Sequence, residues 1–302
     1  MIRLTVLFGR TRITNPVGGK RWESFSDANV FLQSNEGERD MNTRSIGFST
    51  GTCFRFMDSD FPENSILSFP TIQGYLPTAE INLHRPDYLP RFLNFGRRVQ
   101  NNEEFRHWIR NSAGLSVQTP SFEISYGDNR VSDDVLAMIR QVAKLVHIER
   151  FVLHPDLIDK DAWDKLKGLH LDLGILSHSG ICLENSDSHK EFGQTVADMK
   201  KVLDRIGCGI VLNLAHCFTI DPTMRLAHAF IDVLGPKIVE VHLSGVGECS
   251  RSHLPLFQTM QDIILDPLRR ISSDIPIIIE SICDYAEDLE KELEYIAERI
   301  PS

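Results

Sequence analysis

Glu184, Asn213, His242 and Glu280 are the residues of this 302-residue chain whose types and spacing point most directly to chemistry. Each stands at or just past the end of a short apolar run, in GICLENSD, GIVLNLAH, KIVEVHLSG and IPIIIES. Positions 184, 213 and 242 recur in steps of 29 residues, the length of one strand-helix unit. Two carboxylates, an imidazole and an amide brought together suit Mn²⁺, Mg²⁺, Zn²⁺ or Co²⁺, with a coordination position left for water or a substrate hydroxyl. Plainer readings stand beside this one. A Glu after a strand can simply cap the next helix, and for Glu184 that alternative stays open. Glu280 follows the apolar stretch 275–279, where a buried carboxylate needs a partner or a cation. A lone strand-end histidine is ordinarily a packing or rim residue, but His154, His216, His242 and His253 all fall at the same predicted end. His84, in HRPD, reads as a turn residue, and His147 and His228 lie on helical patterns as surface or packing residues.

The elements that must position these side chains are eight predicted strands. They are SIGFSTG (45–51), TAEINLH (78–84), LSVQTPSF (115–122), RFVLHPD (150–156), GICLENSD (180–187), GIVLNLAH (209–216), KIVEVHLSG (237–245) and IPIIIES (275–281). Helical patterns alternate with them. VSDDVLAMIRQVAKLVH has Ser132 as N-cap, with Val135, Met138, Ile139, Val142 and Leu145 on one face. TVADMKKVLDRIG places Val196, Met199, Leu203 and Ile206 together and ends in Gly207. DPTMRLAHAFIDVLGP reads as one helix capped by Asp221, with Pro222 in its first turn and Gly235 as terminator. DYAEDLEKELEYIAERI turns Leu289, Leu293, Ile296 and Ile300 inward. The expected fold is an α/β (β/α)₈ TIM barrel over residues 45–302, whose strand ends converge on one cavity. FPENSILSFPTIQGYLP, between the first two strands, shows no clean helix.

Residues 1–44 are polar, rich in Gly, Asn and Ser, and are expected to form a mobile N-terminal extension. Regular structure is expected to begin just after Met41, which would make Met41 an alternative start. The formal charge of −10 offers no general footprint for a phosphate backbone, so nucleic acid is not the expected partner. No stretch approaches the roughly 18 apolar residues of a membrane span. The six cysteines form no C-x-x-C pair and are expected as reduced core or site-wall thiols of a cytoplasmic protein. Phe54, Phe56, Phe122 and Tyr126 could wall a sugar ring or simply pack. The oligomeric state is open.

LENSD, LNLAH, VEVHLSG followed by SRSHLPL, and IPIIIES, in that order and spacing, resemble the successive strand ends of the xylose isomerase-like TIM-barrel superfamily, which includes sugar isomerases and epimerases and the endonuclease IV group. In the epimerase-like members, one divalent metal is held by Glu, Asp, His and Glu of strands five to eight, matching Glu184, Asn213, His242 and Glu280 here. The resemblance implies that the two glutamates also move a proton next to a substrate carbonyl, through an enediolate, and that His216 orients the substrate. Asn213 departs from the Asp of that pattern and removes one negative charge. The endonuclease-like members use three zinc ions, and His154, His216 and His253 fit that larger set as ligands of a second metal. Three of that group's positions differ here, as Gln118, Asn213 and Arg251. Arg251 would set a positive charge beside a phosphate or carboxylate, unless it is a solvated loop residue; Gln118 and His154 would face the substrate. The expectation is a metal-dependent isomerase or epimerase of a small molecule, a sugar or sugar phosphate. The alternatives are a multi-metal phosphoesterase and a barrel that has lost chemistry and binds a metabolite or partner.

Overall fold

The computed structural model describes residues 6–7, 29–30, 44–53, 78–83, 88–111, 114–119, 133–155, 160–177, 179–248 and 253–300. The chain divides into two units, 1–43 and 44–302. In the first, Val6–Leu7 and Asn29–Val30 pair antiparallel, with Val6 opposite Val30. Arg44, expected in the extension, belongs to the second unit, where it donates to the Leu268 carbonyl at 2.7 Å; the remaining residues expected there lie outside the described set, as do Phe54, Phe56, His84, Phe122, Tyr126, Ser132 and Arg251.

The second unit is a closed barrel of eight parallel strands. They are β1 (Ile46–Ser49), β2 (Ala79–Asn82), β3 (Leu115–Gln118), β4 (Arg150–Leu153), β5 (Gly180–Glu184), β6 (Gly209–Asn213), β7 (Ile238–Leu243) and β8 (Ile277–Ile279). Each pairs with the next in the chain, and β8 closes the ring on β1, with Ile277 opposite Ile46. All eight expected strands are present, and all end earlier than their apolar runs. The chain leaves the hydrogen-bonded sheet at the polar residues that close each run.

Helices α1 (Tyr88–Asn101), α2 (Glu103–Asn111), α3 (Asp133–Leu145), α4 (Lys160–Ser177), α5 (Val196–Ile206), α6 (Leu214–Ile220), α7 (Arg225–Leu234) and α8 (Ala286–Ala297) follow in chain order. None of them is long and apolar enough to cross a membrane. Helix α5 has the expected bounds. Thr195 caps its start by accepting from the Asp198 amide at 3.1 Å, and Gly207, at φ 87°, closes it as only a residue tolerant of the left-handed region can.

The segment after β6 departs from expectation. Residues 209–216 do not run on as strand, because Asn213 caps a helix at once, and α6 occupies 214–220. Asp221 ends α6 instead of starting the next helix at Pro222. A turn follows, with Met224 left-handed at φ 58°, and α7 begins at Arg225. Asp221 still serves α7 from a turn earlier, accepting from the amides of Thr223 and Leu226 at 3.0 Å. Gly235 does cap the end of α7 as expected, its N–H donating to the Ile231 carbonyl, but it is right-handed at φ −45° and opens a 3₁₀ turn, Gly235–Lys237, before β7.

Alternate strand residues face opposite sides of the barrel wall. One set, including Ile81, Val117, Phe151, Ile181, Ile210 and Val241, packs outward with Phe92, Ile139, Val202 and Phe230 of the helices in one core. The other set lines the inside, where Val152, Cys182 and Val211 make a separate small apolar cluster. The remaining inward positions are largely polar. Cys182, Cys208, Cys217 and Cys283 are buried and form no disulfide, and burial raises the thiols of Cys182, Cys208 and Cys217, that of Cys208 to about 12.

Gly47 marks how closely the wall is drawn near β1. A Cβ there would stand 1.9 Å from the carbonyl oxygen of Thr78. Gly47→Ala should therefore destabilise the barrel by about 2–3 kcal/mol, read as a lower denaturant midpoint at unchanged slope.

Candidate metal centre

The expected quartet converges. Glu184 ends β5, Asn213 ends β6, His242 lies within β7, and Glu280 follows β8 directly. The Asn213 side-chain amide donates to Glu184 Oε1 at 2.8 Å and to Glu280 Oε2 at 2.7 Å, so one NH₂ group bridges both carboxylates. His242 Nδ1 lies 3.3 Å from Glu184 Oε1 and 3.4 Å from Glu280 Oε1. All four residues are buried, and the three of β5, β6 and β7 have no exposure at all.

The orientation of Asn213 is fixed from three sides. Its Oδ1 accepts from the His216 amide at 3.1 Å, which is the cap of α6. Its backbone N–H donates to Asn185 Oδ1 at 2.7 Å, and its carbonyl accepts from Asn185 Nδ2 at 3.1 Å. Turning the amide over would set an NH₂ group against the His216 N–H. Asn213 thus presents a hydrogen-bond donor, not a lone pair, to the two glutamates.

The histidines and Gln118 complete the upper rim. Gln118, the last residue of β3, donates to Glu184 Oε2 at 2.9 Å and accepts from Asn82 Nδ2. His154, just after β4, brings Nε2 within 3.2 Å of Glu184 Oε2. His216, in the first turn of α6, donates from Nδ1 to the Asn185 carbonyl at 2.7 Å. His253 lies on the two-residue strand His253–Leu254, paired with Gly245–Val246, and its Nδ1 is 2.7 Å from Ser244 Oγ and 3.8 Å from Glu280 Oε2. The ring centroids of His154 and His216 are 6.3 Å apart, and those of His216 and His253 are 5.5 Å apart. Glu280, His154 and His216 keep 6–8% exposure where Glu184, Asn213 and His242 keep none, so the centre opens on the side of the three histidines.

Sequence reasoning missed the floor of the centre. Glu80 of β2 and Glu240 of β7 also face inward and are fully buried. Glu240 Oε1 accepts from His242 Nε2 at 3.0 Å, and its other oxygen accepts from Arg150 Nε of β4 at 2.8 Å. Glu80 Oε2 is 3.2 Å from His242 Nε2, yet neither Glu80 oxygen has a hydrogen-bond partner. The available signal was a charged residue inside the strand runs TAEINLH and KIVEVHLSG, since strands covered on both faces otherwise read as continuous apolar runs.

Electrostatics follow from this packing. Burial drives the Glu80 carboxyl up to about 7, against the pull of His242. Burial opposes charge on His242 too, but Glu280, Glu80 and Glu184 together hold the imidazole well above its usual range. Burial likewise opposes ionisation of Glu184, and His154, His242 and His216 outweigh it, keeping that carboxyl well below the ordinary value. Glu280 is lowered against burial by His242, and Glu240 by Arg150. His154 and His253 are lowered by burial, which favours the neutral rings.

Of the four buried carboxylates in this centre, Glu240 is the one paired with a fixed cation, Arg150. Glu80, Glu184 and Glu280 face one imidazole between them. A divalent cation fits this donor set, because it would supply the missing positive charge and because one ligand atom each of Glu80, His242 and Glu280 lies within 4.8 Å of the others.

No protein-family model matches the chain, and no curated protein matches it in sequence. Solved structures do match. A 3-keto-D-glucoside 4-epimerase of E. coli aligns over 85% of this chain and 100% of its own, at 14% identity and a TM-score of 0.57. A xylose isomerase domain protein of Planctomyces limnophilus aligns over 84% and 94%, at 14% identity and a TM-score of 0.52. A xylose isomerase-like TIM-barrel protein of Mycobacterium smegmatis, solved in complex with magnesium, aligns over 86% and 98%, at 13% identity and a TM-score of 0.52. The chain shares the TIM-barrel fold of these structures.

The Arg150–Glu240 pair should behave as a buried ion pair. Arg150→Met leaves the Glu240 charge uncompensated and should cost about 3–5 kcal/mol of unfolding free energy, whereas Arg150→Met combined with Glu240→Gln should recover most of it. Denaturant unfolding of the single and double variants measures the difference.

Proposed function

We propose that this chain is a divalent-metal-dependent isomerase or epimerase acting on a sugar, a sugar phosphate or a related polyhydroxy carbonyl compound. The observation that carries the reading is the pair Glu184 and Glu280, buried together at the strand ends and held ionised around one imidazole. A divalent ion held by Glu184, His242 and Glu280 would polarise a substrate carbonyl and its neighbouring hydroxyl. The similarity to a sugar epimerase and to xylose isomerase-domain barrels supports that substrate class.

The two carboxylates are unequal. Glu184 is fully enclosed and its oxygens already face Asn213, Gln118, His154 and His242. Glu280 keeps a small exposure toward the histidine side and engages fewer groups. Glu280 is therefore the base that takes the proton from the carbon next to the carbonyl. Returning that proton to the neighbouring carbon gives an isomer. Delivery from the opposite face by Glu184 would give an epimer, and the tight hold on the Glu184 carboxylate favours the single-base route. His216 and His154 border the opening and would bind substrate hydroxyls.

A second reading has its own observation, the three imidazoles of His154, His216 and His253 in series above the glutamates. They would hold a further metal in a phosphoesterase-type centre. Elemental analysis separates the two. About one tightly bound divalent ion per chain is expected, and two or more equivalents that depend on His154 and His253 would favour the hydrolase.

With Mn²⁺ supplied, exchange of the substrate carbon-bound hydrogen with D₂O, followed by NMR across a panel of sugars and sugar phosphates, should detect the proton transfer. Glu280→Gln should slow it by about 10²–10⁴-fold. Purified protein that takes up none of Mn²⁺, Co²⁺, Zn²⁺ or Mg²⁺ would sink this reading.

A further inference from the structure

We propose that Glu80 is a further ligand of the divalent cation, beside His242 and Glu280, so that the ion sits toward β2 and not against Asn213 at the end of β6. This inference rests on the metal-dependent reading above and specifies where in the centre the ion binds.

Glu80 is the least satisfied polar group of the barrel interior. It has no solvent exposure, and both of its oxygens lack a hydrogen-bond partner. Its near neighbour is the His242 ring, 3.2 Å away. A carboxylate in that position, out of water and without a donor, is costly unless a cation or a proton compensates it. The other inward carboxylates are provided for: Glu240 by Arg150, Glu184 by Gln118 and Asn213, Glu280 by Asn213. What is missing is a positive group of its own, because Glu80 shares the His242 imidazole with Glu184 and Glu280.

Distances allow a cation there. One ligand atom from each of Glu80, His242 and Glu280 falls within 4.8 Å of the other two. Opposite ligands of an octahedral ion at about 2.1 Å stand about 4.2 Å apart, so closing around it takes only a small movement of side chains. The end of β6 is less suited. Asn213 presents its NH₂ to Glu184 and Glu280, and its oxygen is committed to the His216 amide at the start of α6. Coordinating through that oxygen would uncap α6 and return two buried carboxylates to mutual repulsion.

The test is a Mn²⁺ titration of the full-length protein after chelator treatment, with free Mn²⁺ read by electron paramagnetic resonance, for wild type, Glu80→Gln and Glu80→Asp. Both variants should bind Mn²⁺ at least about tenfold more weakly, Gln because the charge and one ligand oxygen are lost, Asp because the carboxylate no longer reaches. A Glu80 that acted only through its charge would leave Glu80→Asp with wild-type affinity, and that result would overturn the proposal, as would unchanged binding by Glu80→Gln. Wild-type protein that binds no Mn²⁺ would remove the metal-dependent reading itself, and the seat with it. Thermal unfolding of the metal-free proteins provides an independent check. Glu80→Gln should melt at or above the wild-type temperature, because a buried unpaired carboxyl has been replaced by a neutral group of the same shape; a large drop would mean that Glu80 is held by partners in the fold and would count against it as a free ligand.

Discussion

The centre is organised by charge that a closed barrel cannot easily compensate. Four glutamates reach the interior from four strands, β2, β5, β7 and the end of β8, and one arginine enters from β4 to meet them. Inside such a wall water is excluded, so each unpaired carboxylate raises the free energy of the folded state unless something positive stands close by. Arg150 does this for Glu240. His242 does part of it for the other three, which is why its imidazole is held so far above its ordinary range. The remaining deficit is one that a bound cation could offset.

The same constraint explains why the local structure at the strand ends is so fully hydrogen-bonded. Asn213 could not bridge two carboxylates unless its own orientation were settled, and it is settled by groups that have other work in the fold. The cap of α6 takes its oxygen, and Asn185, the residue directly after β5, takes its peptide on both sides. Helix α6 begins at 214 because the chain needs Asn213 as a cap, and Asn213 faces the glutamates because α6 begins there. Local structure and site geometry are one arrangement.

Much of this was legible in the sequence, and the division has a physical basis. Strand existence follows from apolar runs, and residues that close such runs are conspicuous, which is how Glu184, Asn213, His242 and Glu280 could be named together. Glu80, Glu240 and Arg150 were harder to see. They lie within or at the start of strands, where a charged residue is easily taken as one member of a polar, outward-facing alternation; only the inward phase of β2 and β7 in the closed barrel turns them toward His242. The helix at 214–220 was hidden for a different reason. GIVLNLAH is apolar on both sides of Asn213, and such a pattern does not by itself distinguish the last residues of a strand from the first turn of a buried helix.

The amide at 213 also bears on how the centre is assembled. An aspartate in its place could still cap α6 through one oxygen, but its other oxygen would face Glu184 and Glu280 and add a third charge to a pair that already repels. With asparagine, the two glutamates are drawn to a common donor and their positions are set before any ion or substrate arrives. A site assembled in advance loses less conformational freedom when it binds. What such a centre still lacks is charge for the carboxylate that the fold compensates least, Glu80 on β2, which shares the His242 imidazole with two other glutamates.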